Sequence, residues 1–342
     1  MPPTLKTKKT VALITAAACS GGIFLAWAID YFCFEGAHPL HSIGKNTGKN
    51  GLWLRYFWYA GKETDLAQWD AMAKRLIDHQ IKYAYFHMLT TAADGKLRSH
   101  HLDRAQKITS FVHKRAPETQ VIAWVYIGSP ATPDQVDLSK PAVRAALIQE
   151  MHWLTQECGF DGVQWDYEFC ASGDLGFVEL MKESKAALAP DKLLCTATPM
   201  WYPNTLWGWD DKYFHTVASV SDQIAVMCYD SYFYSPSAYV WLLREQALHA
   251  TTACEGTKCR VILGLPTYED VTLSHHSRVE SLRNALRGVY EGIHDDHFND
   301  TTFDGIALFA DYTTDEQEWQ DYDRYWLGSS GAGHTQDLPG RI

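Results

Sequence analysis

The sequence predicts an α/β chain: a single-domain (β/α)8 TIM barrel preceded by an N-terminal signal or anchor segment. Three observations carry that expectation. From Leu52 onward, short apolar or aromatic runs alternate with polar loops and stretches of helical spacing. Eight such runs fit into the body of the chain, and a barrel of this type typically needs about 250 residues. No Gly-x-Gly-x-x-Gly follows any run, so a doubly wound nucleotide fold has little support.

The expected strands, in order, are Leu52–Tyr59, Tyr83–Met88, Val121–Ile127, Gly162–Glu168, Leu193–Thr198, Gln223–Tyr229, Val261–Leu265 and Gly305–Ala310. Between them, helical spacing puts Leu66, Trp69, Met72, Leu76 and Ile77 on one face. Val143, Leu147, Met151 and Leu154 form a second face, and Val279, Leu282, Leu286 and Val289 a third. Phe160-Asp161-Gly162-Val163 and Phe303-Asp304-Gly305-Ile306 open the fourth and eighth strands alike, a hint of half-barrel repetition.

The N-terminus has a different character. Lys6, Lys8 and Lys9 precede an uncharged, mostly apolar run from Val11 to Ile29, which Asp30 ends. A basic start before such a run reads as a secretory signal or signal anchor. One bilayer crossing takes roughly 20 residues, and lysines before the run keep that end in the cytoplasm. The rest is therefore expected outside the cytoplasm: secreted, periplasmic or anchored facing out. Ala26-Trp27-Ala28 offers a small-x-small cleavage site. Ala17-Ala18-Cys19 is a poor lipoprotein-like site, because Ala16 stands where a bulky aliphatic residue belongs. Without cleavage the run stays as an anchor. The expected divisions are residues 1–34 for the segment, 35–50 for a linker, 51–327 for the barrel and 328–342 for a Gly/Ser-rich disordered tail.

Composition narrows the function classes. The 342 residues carry a net charge of -11, which argues against nucleic acid as a partner. Thirteen Trp and 18 Tyr suit either a large core or a groove that stacks sugar rings. Export would permit disulfides, and Cys254 and Cys259 flank a turn that a bridge could close. The remaining cysteines of the body are scattered core thiols, and none has zinc-site spacing. His100-His101 and His275-His276 read as loop residues rather than metal ligands. No metal and no cofactor is expected.

The fourth strand concentrates the chemistry. Side chains alternate along a strand, so Gly162, Gln164, Asp166 and Glu168 share the inward face. Val163, Trp165 and Tyr167 then face the helices. Inward polar residues are costly unless used or hydrogen-bonded. Glu168 stands at the C-terminal end of the strand, where barrel active sites lie. Two carboxylates two residues apart on one face repel, which raises a pKa, and a raised glutamic acid can protonate a leaving group.

This segment resembles the signature of glycoside hydrolase family 18, Asp-x-x-Asp-x-Asp-x-Glu. Asp161, Asp166 and Glu168 match, and Gln164 departs. Met227-Cys228-Tyr229-Asp230 fits the family's Met-x-Tyr-Asp after strand six. Leu263–Tyr268 and Gly305–Phe309 resemble its strands seven and eight, although the family usually has Trp where Phe309 stands. The resemblance implies a retaining, substrate-assisted glycosidase of the chitinase or endo-β-N-acetylglucosaminidase kind. Glu168 would be the acid and then the base. The substrate's own acetamido oxygen would be the nucleophile, Asp166 would orient that group, and Tyr229 would hydrogen-bond the attacking oxygen. Asp230, Met227, Gln164, Tyr56, Trp201, Phe309 and Tyr268 are the candidate substrate-binding residues.

The departures carry expectations of their own. Gln164 can donate to Asp166 but cannot titrate, so Asp166 is expected to stay ionised and the pH dependence to be altered. Phe309 keeps an apolar floor under the sugar without the indole N–H. The short link from Tyr268 to His275 leaves no room for the extra domain of many processive chitinases, which suits an open site. Tyr56 and Trp58 share a parity, and Trp201, Tyr202, Trp207 and Trp209 crowd the loop after strand five; rings there can stack on sugars. The expected partner is an oligo- or polysaccharide such as a chitin oligomer, peptidoglycan or an N-glycan core, acted on by a monomer that touches the membrane only through its N-terminal segment. Two alternatives stay open: a catalytically silent, chitolectin-like binding barrel, and a glycosidase for a sugar without an acetamide, with Asp230 or Asp311 as its second carboxylate.

Overall fold

The computed structural model describes residues 5–128, 136–168, 170–202 and 208–328, and the side chains from residue 19 onward. Strands β1 (Asn50–Leu54), β2 (Ile81–Thr90), β3 (Gln120–Tyr126), β4 (Gly162–Asp166), β5 (Leu193–Thr198), β6 (Gln223–Met227), β7 (Arg260–Pro266) and β8 (Phe303–Phe309) close into one parallel barrel in chain order. Helices α2 (Leu66–Asp78), α3 (Leu102–Arg115), α4 (Pro141–His152), α5 (Leu175–Ala187), α6 (Asp211–Ala218), α7 (Pro236–Ala253), α8 (Leu282–Ile293) and α9 (Glu316–Asp321) surround it. This is a single-domain TIM barrel.

Local chemistry starts the helices where the sequence breaks its strands. Asp65, Asp174, Asp210, Ser235, Ser281 and Asp315 each cap a helix by accepting a backbone N–H of its first turn. Pro141 opens α4, where its missing N–H costs nothing. The helical faces bury as expected for Val143, Leu147, Met151, Leu154, Val279, Leu282, Leu286 and Val289. The first face is narrower than expected. Trp69, Met72 and Leu76 are buried, but Leu66 and Ile77 at its two ends are exposed. Strands β1, β4 and β6 stop short of their expected ends, so Tyr56, Glu168 and Tyr229 fall on the loops that follow.

The alternation on β4 holds. Trp165 donates to Ser184 on α5 at 3.2 Å, and Tyr167 stacks on Phe177 of the same helix. The inward residues meet a separate core built around Trp53, Tyr85, Ile122, Cys195 and Ile262. Gly162 opens the strand because a Cβ there would sit against the Leu193 carbonyl. Asp161, the first residue of the motif, is a structural latch. It accepts from the Val121 N–H and from His113, both at 2.8 Å, at the end of the barrel away from Glu168.

The first helix, α1, spans Leu5–Ala37 and crosses the expected boundary at residue 34. The following stretch is packed against the barrel rather than free as a linker: Ile43 is buried, its N–H reaches the Tyr325 carbonyl at 2.8 Å, and Lys45 reaches the Ile293 carbonyl at 2.8 Å. Among the described residues no helix is long and apolar enough to cross a membrane. The expected apolar run begins at Val11, in the part of α1 whose side chains are not described. All but one residue of the expected tail, and Trp207, also lie outside the described residues. Cys254 and Cys259 are buried free thiols hydrogen-bonded to each other, not a bridge.

Candidate active site

The candidate site, at the C-terminal end of the strands, is organised by the β3–β4 pair. Register sets Trp124 beside Gln164 and Tyr126 beside Asp166. Trp124 Nε1 donates to Asp166 Oδ2 at 2.8 Å, and the other carboxylate oxygen, Oδ1, is buried without a partner. Asp166 is 2% exposed. Burial, with the charge of Glu168 second, pushes its pKa up to about 8 against the Trp124 hydrogen bond. Glu168 is also raised, by burial first and by Asp230 second, while the Tyr126 hydroxyl donates to it and holds it down. A proton is therefore held on this pair at neutral pH, and the two groups titrate together. The expectation that Asp166 stays ionised is corrected by its burial.

Gln164 is fully buried beneath this pair. Its Oε1 accepts from Trp53 Nε1 at 2.9 Å across the barrel. Its amide nitrogen has no partner, so the expected hydrogen bond to Asp166 is not made. His87 packs on Trp124 with ring centroids 4.2 Å apart, and burial lowers its pKa to about 4, so it is neutral at pH 7.

The loop after β6 supplies the opposite wall. Tyr229 is buried, and burial raises its hydroxyl pKa far above the ordinary range, which keeps it a neutral donor. Its ring stacks on Phe309 at 4.9 Å. Phe309 also meets Trp53, Trp124 and Tyr268 edge-on at 5.9–6.0 Å, so it forms the apolar centre of the site. Asp230 and Tyr232 both take left-handed backbone, with φ of 57° and 62°. Such positions for non-glycine residues concentrate at functional sites. They are held from outside. Ser274 Oγ and the Tyr268 hydroxyl donate to Asp230, the Tyr232 N–H reaches the Ser274 carbonyl at 2.9 Å, and buried Glu280 accepts from Ser231.

A cavity of about 620 Å³ opens between Glu168 and the ends of β5 and β6; Asp166, Gln164, Phe309 and Tyr268 do not line it. Glu168, Met227, Tyr229 and Asp230 line it, as expected, together with Met200, Tyr202 and Leu273. The other aromatic expectations move. Trp201 does not line the cavity; its ring stacks on His249 of α7 at 3.6 Å, and its backbone is clamped by Gln246. Trp209 is fully buried and donates to the Cys170 carbonyl. Trp58 is buried against Trp69 in the outer core. Tyr56 is half-buried on the β1–α2 loop, edge-on to His87. Asp311 lines a different cavity with Arg55, Glu63 and Arg75, so it is not a partner for Glu168. Trp124 and Tyr126 are site residues beyond those expected from the sequence, although their parity on β3 marks both as inward. Among the described residues no cluster of three His, Cys, Asp or Glu side chains could hold a metal ion.

The chain matches the model of the glycosyl hydrolases family 18 over residues 55–326. No curated protein matches it. Among solved structures, the spore cortex-lytic enzyme SleL of Bacillus cereus superposes with a TM-score of 0.58 at 12% identity, covering 82% of this chain and 75% of SleL. The Group IV chitinase of Ostrinia furnacalis superposes with a TM-score of 0.56 at 14% identity, covering 80% of this chain and 94% of that one. A class V chitinase of Pseudomonas fluorescens Pf-5 gives 0.54 at 16% identity, covering 80% and 98%.

Proposed function

Since the chain belongs to the glycosyl hydrolases family 18, we propose that it is an exported retaining hydrolase of β-linked N-acetylhexosamine glycans. The observation that carries this reading is the buried Asp166–Glu168 pair at the mouth of the barrel, with Glu168 lining, beside Tyr229 and Asp230, a cavity large enough for sugar rings.

Each group has a task that its surroundings suit. Glu168, protonated in its raised state, gives its proton to the glycosidic oxygen as the bond to C1 breaks. The acetamido carbonyl oxygen of the same sugar attacks C1 and forms a cyclic oxazolinium. Glu168, now a carboxylate, then takes a proton from the water that opens that ring and restores the configuration. With the pair's proton on Glu168, the Asp166 carboxylate offers its unpartnered Oδ1 to the acetamide N–H, and its negative charge stabilises the ring when that becomes cationic. Tyr229 stays neutral and donates to the acetamido oxygen. The stacked Tyr229 and Phe309 rings form an apolar floor for the acetamide methyl and the sugar face. Chitin oligomers, peptidoglycan and N-glycan cores all carry the required acetamide.

The test is turnover of fluorogenic N-acetylglucosamine oligomers and peptidoglycan fragments by the full chain in detergent, beside Glu168→Gln. The expected result is turnover by the parent and a loss of roughly a hundredfold or more in the variant. Sugar binding without turnover in either protein would move the assignment to a silent binding barrel.

A further inference from the structure

The direction of α1 relative to the barrel has a consequence for where the enzyme works. Its described part descends along α7 and α8. Trp27 Nε1 donates to the Tyr234 carbonyl at 2.7 Å, and Asp30 accepts from Ser235, the cap of α7, at 2.6 Å. Arg278 then takes the Tyr31 carbonyl at 2.9 Å, and Arg287 takes the His38 carbonyl at 2.7 Å. Finally Lys45 meets Ile293 at the far end of α8. The helices around the barrel start at the catalytic end and finish at the opposite one. Residues 27–45 therefore run from the catalytic end downward. The helix continues back from Trp27 to Leu5, so its earlier turns project beyond the catalytic face.

The exposed apolar side chains follow the same polarity. Leu175, Tyr232, Tyr234, Val271, Leu273 and Tyr312 all lie on loops or helix starts at the catalytic end, between 47% and 77% exposed. Ile23, Phe24, Leu25, Ile29 and Phe32 on α1 are between 55% and 71% exposed. At the opposite end, the exposed large apolar residue among those described is Ile77. A sugar groove accounts for tyrosines, which present ring faces. It does not account for Leu175 and Val271, which have no face to stack and lie outside the cavity lining. Exposed apolar side chains gathered at one end of the barrel, on the side from which an apolar helix projects, point to a contact surface. The uncharged stretch supplies the partner: Val11–Ala26, the part beyond the barrel, is 16 residues and about 24 Å of helix, most of the thickness of a hydrocarbon core.

We propose that α1 is retained as an anchor and seats the barrel with its catalytic face on the bilayer, so that the enzyme acts on glycan at the outer membrane–water boundary. This rests on the export reading of the N-terminus and not on the identity of the catalytic acid. With a chain charge of -11, seating comes from apolar insertion rather than attraction to anionic lipid.

The test uses the full chain in phosphatidylcholine vesicles with Cys19→Ala and Cys33→Ala, which remove the exposed thiols. A fluorophore is placed at Val271→Cys on the catalytic rim or at Glu118→Cys on the opposite end. Doxyl groups carried on the lipids are expected to quench the label at 271 several-fold more than the label at 118. Equal quenching at the two positions would overturn the proposal while leaving the anchor intact. Release of the chain from the vesicles on alkaline washing would overturn it by removing the anchor. Turnover of soluble fluorogenic oligomers by the parent chain reports separately on the hydrolase reading, because that reaction needs no bilayer.

Discussion

The two ends of the barrel interior use the same residue types in opposite ways. At the lower end, Asp304 is 1% exposed and accepts from Tyr83 at 2.8 Å, from Gln223 at 3.4 Å and from Lys49 at 3.2 Å. Gln223 uses both ends of its amide, since its Oε1 takes the Tyr85 hydroxyl at 2.5 Å. At the upper end, Asp166 is equally buried and has one partner, Trp124, while Gln164 has one partner, Trp53. One atom of each is left bare. A buried polar atom without a protein partner costs stability, so a satisfied layer serves the fold, whereas an unsatisfied one is a candidate for binding. Two glutamines and two aspartates on the inward faces of one barrel thus divide into a floor and a site.

Substitutions can break this comparison, and the largest effect is expected at Asp166. Its raised pKa means that, between about pH 4 and pH 8, the folded chain holds a proton that the unfolded chain has lost. Stability therefore falls as pH rises through that window. Asp166→Asn should flatten the slope and stabilise the fold at pH 8 by a few kcal/mol, while kcat on acetamido oligomers drops about a hundredfold. Denaturant midpoints at pH 5 and pH 8 check the first part. A slope unchanged in the variant would place the proton elsewhere.

Asp304→Ala should do the reverse. It leaves the Tyr83 hydroxyl and the Gln223 amide without their acceptor and should cost about 3 kcal/mol, with kcat close to the parent value at temperatures where the variant is folded. The glutamines sharpen the contrast. Gln223→Leu strands Tyr85 and should cost about 2 kcal/mol. Gln164→Leu strands only the Trp53 indole and removes an amide that was already unpaired, so its cost should stay within about 1 kcal/mol. Equal costs for the two glutamine variants would erase the distinction between floor and site.

The site half of this division was legible in the sequence, because the two-residue period of a strand assigns each side chain to a face. It put Gln164, Asp166 and Glu168 inward and Trp165 and Tyr167 against the helices, and the strand-six match placed Tyr229 and Asp230 at the mouth. What could not be read depends on closure and on loops. The Trp53–Gln164 hydrogen bond joins residues 111 apart across the barrel. The stacking of Trp201 on His249 turns an expected sugar platform into a brace for α7, a choice made by contacts with His249 and Gln246, about 45 residues further along the chain. Burial deep enough to protonate Asp166 likewise comes from the closed barrel, and the local spacing of carboxylates gives only the repulsion.

The central claim, that the nucleophile is the substrate's acetamide working beside Glu168 and Asp166, has a direct test. An N-acetylglucosamine-derived thiazoline mimics the cyclic intermediate. It should inhibit turnover of acetamido oligomers competitively, and Asp166→Asn should weaken its binding at least tenfold. Turnover that continues undiminished at saturating thiazoline would contradict the claim and assign the nucleophile to a protein carboxylate, with Asp230 facing Glu168 as the first residue to replace.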